Sequence, residues 1–129
     1  PFANDFFNFI ICKEVLQVLS DYQKALEELN RVLKKNGILI IITLNSLSLS
    51  RLFIREKVIK HNPYIIKRNL ENLGFQDVKI RGIYLLPFTS TNFFAKTIVY
   101  FRANNLLNLL FPIFVFFAHS FYIEARKAN

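Results

Sequence analysis

Three positions hold the residues best suited to chemistry: a Cys12-Lys13-Glu14 triplet directly behind an apolar run, an asparagine at 45 and a histidine at 61. A strand that ends in charged and nucleophilic side chains presents them, with its last backbone groups, to whatever sits beyond the sheet. Histidine titrates near neutral pH, so His61, in the loop just before the Asn62-Pro63 helix start, is the better of the two histidines for moving a proton, with a surface or helix-capping role as its alternative. His119 is expected to begin a strand. Asn45, closing the run "ILIIITLN", is either a substrate contact through its amide or a simple turn residue. Metal chemistry is not expected. Hard cations collect several oxygen ligands, and the stretch Glu14-Val15-Leu16-Gln17-Val18 offers one carboxylate.

These side chains need elements to hold them. Residues 6–12 are apolar at nearly every position, which predicts a parallel strand covered on both faces. Ser20, with Gln23 three residues on, predicts a helix start. Tyr22, Ala25, Leu26, Leu29, Val32 and Leu33 then recur at helical spacing, and Gly37 is the expected stop. Residues 38–44 are continuous and β-branched, the pattern of a second buried strand. Asn62-Pro63 predicts another helix start and Gly74 its end. The alternating "FQDVKIRG" predicts a strand exposed on one side, and "HSFYIEARK" a last strand. Strands alternating with helices predict an α/β doubly wound sheet, whose ligands lie at the carboxyl ends of its strands.

Composition narrows the partners. At 129 residues and 53% hydrophobic, with fifteen Phe, the chain is expected to form one domain. The net charge of +8 comes from basic residues scattered among apolar ones, so nucleic acid is not the expected partner. A single cysteine forms no internal disulfide and suits a reducing compartment, the cytoplasm by default. Residues 83–117 are mostly apolar and are expected to form a helical cap or interfacial segment. The run 106–117, interrupted by Asn108 and Pro112, is shorter than the roughly twenty residues a membrane span needs. With Arg51, Arg55, Lys57, Lys60, Lys67 and Arg68 it could seat the protein peripherally on an anionic membrane.

The order of these signals carries a resemblance. The stretch "FNFIICKEVLQVLSDYQKALEELNRVLKKNGILIIITLN" closely resembles the fourth strand, following helix and fifth strand of class I S-adenosylmethionine-dependent methyltransferases. The "RVLKKNG" here stands where the family has "RVLKPGG", and "ITLN" where it ends near Pro-Asn. "HNPYIIKRNLENLGFQDVKIRG" looks like the helix before strand six, and "YIEARK" like the closing antiparallel strand.

The resemblance implies a Rossmann-like sheet made of strands four to seven. It also implies S-adenosylmethionine as cofactor and a small-molecule methyl acceptor. Lys13 then falls where the family contacts the methionine portion of the cofactor, with Cys12 and Glu14 beside it and Phe2 in the "LPF" element ahead of strand four. His61 and Asn45 fall on the acceptor side. Some quinone-pathway relatives carry Glu-x-x-Glu-His at this turn. The chain lacks that second carboxylate and the His, so the metal those residues suggest is not expected here. The Gly-rich cofactor loop belongs to an earlier part of such a domain, so residues 1–129 are expected to be its C-terminal portion. Rival readings are a non-catalytic α/β interaction domain and a peripheral membrane protein without chemistry.

Overall fold

The computed structural model describes residues 2–48, 58–83 and 118–129. Among these residues four strands form one mixed sheet: β1 (Phe7–Lys13), β2 (Leu33–Leu44), β3 (Phe75–Ile83) and β4 (Ser120–Lys127), in the spatial order β1-β2-β4-β3. Helix α1 (Tyr22–Val32) joins β1 to β2, which pair in parallel, and helix α2 (Pro63–Asn72) precedes β3. β4 runs antiparallel to both its neighbours. A parallel pair needs a crossover, and α1 supplies it. The expected parallel, adjacent pair and antiparallel last strand are therefore observed.

The core lies on the sheet face that carries the helices. Across the ladder, Cys12 pairs with Ile41, Ile41 with Ile123 and Ile123 with Ile80, placing the four on one face. Leu26 of α1 and Ile66 and Leu70 of α2 join the same buried cluster as Leu39, Phe121 and Phe75. Removing side chains such as Leu39, Ile41 and Phe121 entirely from water contributes about 1.5–3 kcal/mol apiece.

Several expectations are corrected. Asp21, not Ser20, caps α1: its carboxylate accepts from the Lys24 N–H at 3.3 Å. The helix also stops well before Gly37, because Leu33 is already extended and the "KKNG" stretch belongs to β2. Asn36 there has φ +61, and β2 slips against β1 between Phe7 and Phe9. Gly37 serves close approach instead of a helix cap: a Cβ on it would lie 2.7 Å from the Lys34 carbonyl and 2.8 Å from the Leu33 side chain.

Coverage of β1 is corrected too. Among the described residues it is an edge strand, with Phe9 48% and Ile11 58% exposed. β3 bulges between Gln76 and Lys79, with Asp77 at φ +54, so its buried positions fall at Phe75 and Val78 rather than alternating strictly. Asn62 caps α2 and Gly74, at φ +88, follows its end, as the sequence predicts. The apolar segment beyond Ile83, and Arg51, Arg55 and Lys57, lie outside the described residues.

Candidate active site at the carboxyl ends of β1 and β2

The parallel pair brings two strand ends together. β1 finishes at Lys13, and Glu14 turns the chain with φ +58 while its N–H donates to the Ile42 carbonyl at 2.8 Å. A left-handed backbone is unusual for glutamate, which lacks the short side chain that lets Asn or Asp tolerate it. Lys13 and Glu14 are exposed, and Cys12 is buried. Burial pushes the Cys12 thiol up from its ordinary value, against the smaller opposing effect of a hydrogen bond from the Leu16 backbone. Cys12 is thus kept as a neutral thiol, which disfavours it as a nucleophile.

A short 3-10 turn, Leu16–Val18, follows, and its carbonyls are claimed by the connection between β2 and α2. Ile59 N–H donates to the Gln17 carbonyl at 3.0 Å. His61, only 5% exposed, places Nε2 at 3.0 Å from the Leu16 carbonyl. A carbonyl only accepts, so Nε2 carries the hydrogen and, in the neutral ring, Nδ1 holds the remaining lone pair. The ring also meets Tyr22 edge-on, centroids 4.7 Å apart. Its backbone is anchored as firmly: His61 N–H donates to Leu44 and its carbonyl accepts from Ser46.

Asn45 is brought against His61 by an isolated parallel bridge, although sixteen positions separate the two (61 − 45). Its side chain turns inward: Nδ2 donates to the Ala118 carbonyl at 2.9 Å and Oδ1 accepts from Leu47 N–H at 3.0 Å. An open cavity of about 380 Å³ lies between the starts of α1 and α2, walled by Leu19, Tyr22, Ser46, Lys60, His61 and Ile65 among others. Lys13, Glu14, His61 and Asn45 therefore belong to one end of the sheet. Phe2 does not join them. Its carbonyl accepts from Arg31 at the end of α1 and its ring packs on Phe6 and Phe7, at the amino end of β1.

Sequence reasoning missed Leu16, Gln17 and Ile59, which act through backbone atoms that residue type does not advertise. Among the described residues no group of three or more His, Cys, Asp or Glu side chains could hold a metal ion. No helix among them is long and apolar enough to cross a membrane.

Known proteins share this fold. Residues 1–41 match the family model described as a methyltransferase domain. An S-adenosylmethionine-dependent methyltransferase from Archaeoglobus fulgidus superposes over 98% of the chain and 62% of its own length, with TM-score 0.64 and 22% identity. A possible histamine N-methyltransferase from Thermotoga maritima covers 98% of the chain and 59% of itself, with TM-score 0.68 and 14% identity. The fold is that of the class I S-adenosylmethionine-dependent methyltransferases.

Nearer in sequence is an uncharacterized protein of Methanocaldococcus jannaschii, 37% identical over 92 residues. That match takes in 67% of this chain and 38% of the relative, so the chain spans well under half of that relative's length.

Proposed function

We propose that residues 1–129 form the C-terminal part of a methyltransferase domain that transfers a methyl group from S-adenosylmethionine to a small-molecule acceptor. One observation carries the reading. The strand order β1-β2-β4-β3, with only β4 reversed, superposes almost whole on solved methyltransferases while covering 62% of one and 59% of another. The open edge of β1 and its exposed Phe9 and Ile11 support further elements beside it, since an uncovered apolar edge strand is an aggregation liability.

The turn after β1 suits the amino-acid end of the cofactor, which bears one ammonium and one carboxylate. Lys13 and Glu14 supply one charge of each sign, both exposed, and Gln17 Oε1, three residues on from Glu14, is buried with no hydrogen-bond partner among the described residues. When bound, S-adenosylmethionine supplies an electrophilic methyl on a sulfonium sulfur. Transfer then depends chiefly on holding the acceptor in line with that methyl.

This chain's share is to fix one wall. The Glu14 N–H bond to Ile42 sets the turn, and the cavity beside Tyr22 and His61 offers a mixed apolar and polar lining to an acceptor. Phe2, at the far end of β1, has no part in that wall. His61, with Nε2 committed, is not needed as a base when the acceptor carries its own lone pair.

Isothermal titration calorimetry with S-adenosylmethionine tests the reading. Residues 1–129 alone should bind it weakly or not at all. The full-length protein should bind, and should lose affinity on Lys13→Pro while staying folded. Tight binding by residues 1–129, or an unchanged affinity in folded Lys13→Pro, would overturn the placement of the site.

A further inference from the structure

His61 was a candidate for proton transfer, yet its geometry describes a different task. Three segments converge on it. Its Nε2 reaches the Leu16 carbonyl at 3.0 Å, its N–H holds the end of β2 through Leu44, and its carbonyl holds Ser46. Leu16 is itself a hub: fully buried, it gives its backbone N–H to the Cys12 sulfur and its carbonyl to Leu19 N–H as well as to His61. The turn after β1 and the loop after β2 therefore share one buried hydrogen bond between side chain and backbone, with Ile59 to Gln17 as its only other backbone tie among the described residues.

We infer that His61 is a positioning residue that locks the Cys12-Lys13-Glu14 turn to the loop after β2, so that cofactor and acceptor walls keep one fixed relation. The inference rests on the proposed reading of that turn as a cofactor wall. It follows from the stiffness of the junction. Glu14 is held in an unfavourable left-handed conformation, and such a conformation persists only where its surroundings over-determine it. Packing around Leu16 provides that restraint, and His61 closes it by bringing a second donor, besides Leu19 N–H, to a carbonyl that water does not reach.

The full-length protein and S-adenosylhomocysteine as probe provide the test. His61→Leu fills the space without a donor, whereas His61→Gln can place an amide N–H near the position of Nε2. Calorimetry should show S-adenosylhomocysteine binding weakened about tenfold in His61→Leu and restored to within about twofold in His61→Gln. Leu70→Ala, a core truncation under α2, should lower the unfolding temperature and leave that affinity unchanged.

A second readout needs no variant. Adding S-adenosylhomocysteine to the wild-type protein should slow hydrogen exchange at the Ile59 and His61 amides. Unchanged exchange there overturns the lock even if His61→Leu does not fold. Equal affinity in folded His61→Leu overturns it too, while the wild-type result stands. If the wild-type protein fails to bind S-adenosylhomocysteine, the cofactor reading falls and the lock with it.

Discussion

Asn45→Asp separates a bracket from a substrate contact, because it changes one atom and leaves the shape of the side chain alone. In the folded protein the Asn45 amide donates to Ala118 and accepts from Leu47, in a site 1% exposed. Aspartate keeps the second bond and turns the first into two oxygens facing each other. The lost bond is worth about 1 kcal/mol, and the stranded, fully buried Ala118 carbonyl adds about 1–2 kcal/mol. Burying the new charge adds more until the group protonates. A loss above about 3 kcal/mol near pH 7 is expected, read as a lower urea midpoint in the full-length protein.

The sign with pH follows from linkage. Burial raises the folded-state pKa of the new carboxyl above its unfolded value of about 3.9, so the folded state holds the proton more tightly. The penalty is present above the folded pKa and fades as pH falls through it toward 3.9. Asn45→Ala has nothing to protonate and should lose the same amount at both ends of that range. A midpoint within about 0.5 kcal/mol of wild type at pH 7, or a deficit for Asn45→Asp that does not shrink on acidification, would refute the bracket. A raised KM with unchanged stability would return Asn45 to the acceptor.

Glu14→Gly should raise the midpoint by up to about 1 kcal/mol, because glycine adopts φ +58 without a Cβ clash; a loss of stability would mean that the Glu14 side chain holds the turn. Gly37→Ala should cost about 1–3 kcal/mol in the same assay, since the new methyl meets the Lys34 carbonyl and Leu33, and an unchanged midpoint would show that the lead-in to β2 yields. Lys127 places its ammonium on the Asn30 and Leu33 carbonyls and on Asp5, so Lys127→Met should lower the unfolding temperature by an amount worth about 1–3 kcal/mol; no shift would remove this tie. The raised pKa of Cys12 makes the folded state favour the thiol, so its contribution holds below pH 9.0 and is lost as pH climbs above it. Ellman's reagent should accordingly react more slowly with folded than with urea-unfolded protein at pH 8, and equal rates would refute the burial.

Much of the scaffold is legible in the chain because it depends on local chemistry. The β-branched run at 38–44, the helical spacing of Leu26, Leu29 and Val32, the Asn62-Pro63 start and Gly74 each act within a few residues. Backbone sterics and periodicity settle them before any distant contact forms. The end of the first strand was legible for the same reason, although β1 takes in Cys12 and Lys13 and only Glu14 makes the turn. The resemblance to a methyltransferase likewise rests on contiguous wording.

Long-range geometry decided the rest. Gly37 looks like a helix stop from its neighbours, yet it sits in β2, where the Lys34 carbonyl and the Leu33 side chain occupy the space a Cβ would need. Coverage of β1 follows from which strands lie beside it, and an apolar run reads alike at an edge and in a centre. Asn45 and His61 carry side chains equally able to meet a substrate or a backbone. Only the approach of Ala118, Leu47 and Leu16 carbonyl and amide groups fixes which. Those partners lie up to 73 positions away and act through main-chain atoms common to every residue, so no residue type in the sequence could have named them.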